Sequence, residues 1–508
     1  MKFTRLLPVL AAAILSFAFS VRASELKLAA IFGDNMVLQQ KQRVPIWGWS
    51  GAGDQVTVKF GGQTKSTRAG ADGKWLVKLG KLKASAKPQN LIISWNWRSK
   101  LPNSSDETVS KIFSRTFTNV LVGEVWLASG QSNMEKPIGK QPGQKPTFNA
   151  EAELAAANFP NLRIFQVEKT LSATPQDDLV KFHGWQECNS NALNSISFSA
   201  AAYFFGREIH TNLNVPVGLI ESSWGGTRIE PWTPPVALKS VPALAKSAPP
   251  EIGTNKISNT RPMAIYNAMI APIVGFAMRG ALWYQGESNL MGTNADNDYL
   301  TYSDKMIALV GGWRRLWNEG DFPFFFVQIA PFNYYGGKVR RVNSPAMLPE
   351  FWTLQSRAAR RIKNTGMVVT TDLVDNLDDI HPRDKADVGH RLALLALDKT
   401  YAKKVVSSGP VFRKAKFTAG KAILKFDHAD GGLVCKDGPA LTWFEIAGAD
   451  GKFVSAYARI VGRTVEVSNA NIPKPAAVRF AWAEDARPNF FNAAGLPAEP
   501  FRTDAPVK

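Results

Sequence analysis

Val125-Trp126-Leu127-Ala128-Ser129-Gly130-Gln131-Ser132-Asn133-Met134-Glu135 sets the reading of the whole chain. The apolar run from Val122 to Ala128 reads as a strand buried on both faces, and the glycine turn at its end delivers Ser132 flanked by amides. A strand of that kind belongs to a parallel sheet covered on both sides by helices, so it predicts further apolar runs alternating with helical patterns. Such runs lie at Leu162 to Val167, Pro216 to Ile220, Gly280 to Tyr284, Phe324 to Ile329 and Met367 to Thr371. Helical patterns fall at Ala200 to Thr211, Tyr299 to Trp317, Glu350 to Lys363 and Arg383 to Thr400. In the last of these Pro382 marks the start, and Val388, Leu392, Leu395 and Ala396 share one face.

Outward from this α/β centre the rhythm changes. Val44-Pro45-Ile46-Trp47-Gly48-Trp49, Gln55 to Phe60, Lys74 to Leu79 and Leu91 to Trp95 are short period-two segments broken by Gly61-Gly62 and Asp72-Gly73. This pattern predicts an antiparallel β-sandwich. Lys421 to Phe426 and Arg463 to Val467 predict a second β region towards the end. The expected division is a leader over 1–23, a β-sandwich over 24–112, a catalytic α/β domain over 113–405 and a β-sandwich region over 406–508.

The leader reads as a cleaved secretory signal: Lys2 and Arg5 precede an apolar run from Leu6 to Val21, and Val21-Arg22-Ala23 offers small residues for cleavage. The run is short for a bilayer span, so export to the periplasm or medium, with no integral membrane segment after cleavage, is the expectation. The formal charge of +19 falls by Lys2, Arg5 and Arg22 (19 − 3) to +16 in the mature chain. The basic residues are scattered, without the Lys/Arg block of a nucleic-acid arm, so no nucleic-acid partner is expected. Cys188 and Cys435 allow one disulfide or two free thiols, and the five dispersed histidines lack metal-ligand spacing.

Ligands of open parallel sheets bind beyond the carboxyl ends of the strands. Four clusters sit there: Ser132, Trp224-Gly225-Gly226-Thr227-Arg228, Gln285-Gly286-Glu287-Ser288-Asn289, and Asp372 to His381. A serine hydroxyl is a weak nucleophile unless a base takes its proton. His381, in Asp378-Asp379-Ile380-His381-Pro382, is the strongest base candidate, because His210 and His390 lie in helical patterns, His183 in a polar loop and His428 in the terminal β region. Asp378 is preferred as the carboxylate that orients it, while Asp379, Asp372 and Asp375 stand close enough to compete. Acyl transfer also needs donors for the developing oxyanion. The Ser132 N–H, an N–H at Gly225 or Gly226, and the Gln285 amide are suitable in kind. Arg228 is read either as a substrate ligand or as a partner of Glu230, and Trp224, Trp232, Trp283 and Tyr284 as possible faces for sugar rings.

At these residues the chain resembles the sialate O-acetylesterase family, SGNH-type serine hydrolases that include hemicellulose acetylesterases. The matching pieces are Gly130-Gln131-Ser132-Asn133-Met134, Gly225-Gly226-Thr227, Trp283-Tyr284-Gln285-Gly286-Glu287-Ser288, and Asp379-Ile380-His381-Pro382 with Lys385. Met134 separates it from α/β-hydrolases, whose elbow reads G-x-S-x-G. The resemblance implies a flavodoxin-like three-layer α/β/α catalytic domain that removes O-acetyl groups from carbohydrate, sialic acid or an acetylated xylan or xyloglucan, without a cofactor or metal. It also implies Ser132 as nucleophile, His381 as base and Asp378 as orienter, with Ser132, Gly226 and Gln285 as oxyanion donors; Arg228 and Glu287 are the residues expected to bind the substrate. The loop from Asp372 to Asp379 is longer than the family's usual form and richer in aspartate. A non-catalytic carbohydrate-binding envelope protein is the rival expectation.

Overall fold

The computed structural model describes residues 26–100, 108–245, 257–291, 298–429 and 431–504. The leader expected over 1–23 lies outside the described residues. The chain is a mixed α/β protein built on a large mixed sheet, with additional β-sandwich regions.

Seven strands form the central part of that sheet: β1 (Thr108–Gly130), β2 (Asn158–Val167), β3 (Phe182–Asn189), β4 (Val217–Ser223), β5 (Gly280–Tyr284), β6 (Phe324–Val327) and β7 (Thr365–Val368), in the spatial order β3-β2-β4-β1-β5-β6-β7. All adjacent pairs are parallel except β3 against β2. His183 therefore sits in an antiparallel strand rather than the loop its polar surroundings suggested; strand pairing with Gln166 outweighs local polarity.

The continuous apolar runs have a direct explanation. Val125 and Leu127 of β1, Ala281 and Trp283 of β5, and Phe324 and Phe326 of β6 enter one core, while their neighbours Trp126, Ala128, Leu282, Tyr284, Phe325 and Val327 enter another. Both faces are buried, so no alternation survives. The first core takes Leu309 and Trp313 of helix Tyr302–Trp317 and Phe351 and Trp352 of helix Met347–Arg361; the second takes Tyr203 and Phe205 of helix Ala200–Leu213 and Leu392 and Ala396 of helix Lys385–Lys399. Asp384 starts the last helix by accepting the Asp387 N–H.

The long strand β1 pairs with Ser85–Lys100 over its first half and with β4 and β5 over its second. One sheet thus runs from the N-terminal β region to the Gly130–Ser132 turn, and Val37, Val56 and Leu91 share the apolar core of Leu127 and Trp313. The C-terminal region has a core of its own around Phe444, Phe480, Phe490 and Phe501. Cys188 and Cys435 are free thiols, and burial pushes the Cys188 thiol up to about 12. No described helix is long and apolar enough to cross a membrane.

Candidate active site

The turn after β1 is shaped by close approach. Gly130 has φ 144°, and a Cβ there would collide with the Tyr284 carbonyl, while the next amide, Gln131 N–H, donates to that carbonyl at 3.0 Å. Only glycine fits such a turn. The Gln131 side-chain oxygen receives the Gln285 amide at 3.1 Å and the backbone N–H of Gly286 and Ser288, so it ties the β5 loop to the turn that carries Ser132. Ser132 then opens a one-turn helix, Ser132–Glu135.

The structure brings Ser132 and His381 together: Nε2 stands 2.9 Å from Oγ, across 249 residues of chain. With Nε2 facing the hydroxyl, the proton-accepting tautomer carries its hydrogen on Nδ1. The carboxylate beside Nδ1 is Asp379, at 3.7 Å, and it also accepts the His381 backbone N–H at 2.9 Å. Asp378 is not there. Its exposed carboxylate accepts from the Asn333 side chain at 2.8 Å, because adjacent residues of this loop project in different directions. Asp372 is held by Arg391 through two bonds of 2.8 and 2.6 Å, and Asp375 is exposed.

The loop Trp224 to Thr227 lies against Ser132. A Cβ on Gly225 would meet Ser132 Cβ at 3.2 Å, and its N–H is occupied by Glu135 Oε2 at 2.5 Å. Gly226, exposed and at φ 75°, keeps its N–H unpartnered among the described residues, as does Ser132 at the helix start. Gln285 differs from the expectation. Its amide nitrogen already donates to Gln131, the Thr227 carbonyl and Asn289 at 3.1, 3.1 and 2.8 Å, and Tyr302 donates to its oxygen. A fully buried amide with both hydrogens committed braces the rim and has none left for an oxyanion.

Glu287 is also placed below the surface, 1% exposed, where Asn133 donates to it at 2.6 Å. Asn133 donates to the Ile380 carbonyl as well, at 3.0 Å, and accepts from the buried Lys385 ammonium at 2.8 Å. This Lys385–Asn133–Glu287 chain, unread in the sequence beyond the family match, supports the residue before His381. Burial lowers the Lys385 ammonium to about 7, reinforced by the Lys136 charge, and raises Glu287. His381 is lowered to about 4, first by burial and then by the Lys385 charge, against the opposing pull of Asp379.

Arg228 stands 3.7 Å from Asp298, and Glu230 pairs with Lys305 at 2.7 Å instead. Trp232, Trp283 and Tyr284 are core residues, the two indoles meeting edge to face at 6.0 Å, so of the four aromatics proposed for sugar faces Trp224 alone is partly exposed. Beside the nucleophile helix, Glu135, Gln166, Lys181 and Glu221 line a cavity of about 300 Å3.

Residues 122–398 match the model of the carbohydrate esterase family of sialic acid-specific acetylesterases. The chain belongs to this family. It is 31% identical to human sialate O-acetylesterase over 435 residues, covering 79% of this chain and 76% of that protein, and equally similar to the orangutan enzyme. A solved carbohydrate acetylesterase from Xanthomonas citri superposes with a TM-score of 0.80 and 34% identity, over 95% of this chain and all of the other. The protein is therefore an esterase acting on the O-acetyl groups of carbohydrate, which sets aside the non-catalytic rival.

Proposed function

We propose that this esterase is exported and works through an acetyl-serine intermediate formed on Ser132, on a fold of the SGNH, flavodoxin-like three-layer type. The observation that carries the reading is the 2.9 Å approach of His381 Nε2 to Ser132 Oγ. As Oγ attacks the acetyl carbonyl, its proton passes to Nε2, and the sugar hydroxyl leaves by taking that proton. The N–H groups of Ser132 and Gly226 stabilise the oxyanion. Water then gives a proton to Nε2 as it attacks the acetyl-enzyme, and Nε2 passes that proton to Oγ as the acyl bond breaks, releasing acetate and restoring the serine. Asp379, rather than Asp378, orients the imidazole. For the fold, the parallel run β2-β4-β1-β5-β6-β7, in which the first strand lies inside the sheet and later strands are added on both sides of it, supports the proposal. A division near residue 405 is supported by the separate C-terminal core, whereas the regions on either side of residue 112 share one core and one strand.

The candidate substrates are O-acetylated sialic acid and acetylated hemicelluloses such as xylan or xyloglucan. Asp298 beside Arg228 offsets the cation that a sialic acid carboxylate would use, which favours a neutral sugar. Acetate release from a panel of these glycans, together with labelling of Ser132 by a fluorophosphonate, tests the proposal; a protein neither labelled nor active on any member would refute it.

Two further results are expected. Asp379→Asn should lower kcat, by as much as roughly 10⁴-fold where the carboxylate closes onto Nδ1 in the catalytic complex, while Asp378→Asn stays within about threefold; the reverse ranking would restore Asp378 as the orienter. In the pH profile of kcat/KM, the base must be neutral to accept a proton. Because His381 is depressed to about 4, activity should persist well below pH 6.5 and fall only as pH drops towards about 4. Lys385→Met removes a cation that disfavours the imidazolium, so the acid limb should move to higher pH. A limb near pH 6.5 in the parent enzyme, or no movement in the variant, would contradict this account.

A further inference from the structure

We infer that a groove on the outer face of the N-terminal β region binds a neutral, β-linked polysaccharide chain, as an accessory site separate from the catalytic rim. The inference rests on the proposed hemicellulose substrate. Strand Val44–Trp49 and strand Lys74–Leu79 pair antiparallel, with Trp47 opposite Leu76 and Trp49 opposite Lys74. Their inward residues, Val44, Ile46, Trp75, Val77 and Leu79, are buried as an amphipathic sheet requires. The outward positions of such a sheet are ordinarily polar. Here they carry Pro45, Trp47, Trp49 and Leu76 between Lys74 and Lys78, with both tryptophans partly exposed and Leu76 46% exposed.

This face is concave rather than flat. The segment Ala271 to Gly275 and Trp317 form the opposite wall of a cavity of about 530 Å3, within the range of small-ligand sites. Gln176, Asn318 and Lys78 stand on its rim as hydrogen-bonding groups. Two tryptophans two residues apart on one strand are roughly 7 Å apart along it, a spacing suited to stacking on successive parts of an extended chain. Two of the three lysines nearby are neutralised: Lys74 pairs with Asp177 at 3.0 Å, and Lys27, which lies 5.0 Å over the Trp49 ring, pairs with Asp178 at 2.7 Å, while Lys78 leaves one cation on the rim. A groove with an aromatic floor, a polar rim and a single uncompensated cation suits a neutral sugar chain, since stacking and hydrogen bonding outweigh charge there.

Its location separates it from Ser132. Gly275 precedes the start of β5 and Asn318 the start of β6, whereas Ser132 lies beyond the carboxyl end of β1. The length of β5 alone puts the two roughly 15–20 Å apart. The groove would hold a polymer while the esterase works on acetyl groups elsewhere along it, so it should matter for polymers and be irrelevant to small esters.

The test is retardation of the full-length protein in native gels containing deacetylated xylan, deacetylated xyloglucan or polysialic acid, with hydrolysis of a small chromogenic acetate as the control for folding. The parent protein should be retarded by xylan or xyloglucan. Trp49→Ala, and independently the surface substitution Leu76→Asp, should weaken retention at least fivefold and leave turnover of the small ester unchanged. Absence of retention by both neutral polymers, retention by polysialic acid alone, or equal retention of both variants would overturn the inference. Retention lost in the variants, without acetate release from acetylated xylan or xyloglucan, would leave the groove standing and refute the substrate assignment. Acetate release without retention would do the opposite.

Discussion

Ser132→Ala is expected to lower the rate of acetate release by roughly 10⁴- to 10⁶-fold, with the thermal unfolding midpoint little changed. The size follows from what the hydroxyl does in the proposed cycle: without Oγ no acetyl-enzyme forms, and the remaining rate comes from water attacking a carbonyl polarised by the Ser132 and Gly226 amides. The fold should tolerate the change because the side chain is partly exposed and, among the described residues, hydrogen-bonds to His381 alone. The shape of the turn comes from Gly130 and from the Gln131 bonds to residues 284–288, which the substitution leaves in place. Steady-state kinetics on an acetylated substrate, with a melting curve as control, measure both halves. Activity within tenfold of the parent would eliminate the acetyl-serine route.

The second large effect is expected for His381→Ala, again roughly 10⁴- to 10⁶-fold in kcat. Its diagnostic value lies in combination with the first. If Oγ and Nε2 act as one unit, the Ser132→Ala/His381→Ala double variant should be about as slow as either single variant, because removing one partner already removes the function of the other. Multiplicative losses would mean that the residues act independently and that the 2.9 Å contact is incidental. Nearby groups should not substitute for the lost base: Lys385 is fully buried and committed to Asn133, and the Asp379 carboxylate sits on the Nδ1 side of the ring, away from the serine.

How far the site could be read without coordinates depended on how local each signal was. Ser132 and His381 each stand in a short segment whose composition points to its place in the fold, one after a doubly buried strand and the other before a capped helix. The orienting carboxylate was harder, since Asp378 and Asp379 differ by one position and their directions depend on loop dihedrals that neither spacing nor composition encodes. The structure turns Asp378 towards Asn333 and Asp379 towards the ring. Gln285 and Glu287 carried the right functional groups at the right end of β5. Their availability, however, depends on partners from other strands and helices: Gln131, Thr227, Asn289 and Tyr302 for the first, Asn133 for the second. The tryptophans show the same limit, because Trp283 and Trp49 are both strand residues and only packing decides that one is buried and the other lines a groove.

The sequence by itself determined the α/β class, the rim on which the chemistry gathers, the nucleophile and base candidates and the family. These follow from periodicity, turn chemistry and short motifs, all of which act over a few residues. The tertiary structure alone decided which carboxylate faces His381, which amides keep a free hydrogen, and that a single strand carries the N-terminal β region into the catalytic sheet. Each of these depends on side-chain direction and on contacts between residues as distant in sequence as 132 and 381, and such contacts come into being only when the chain packs.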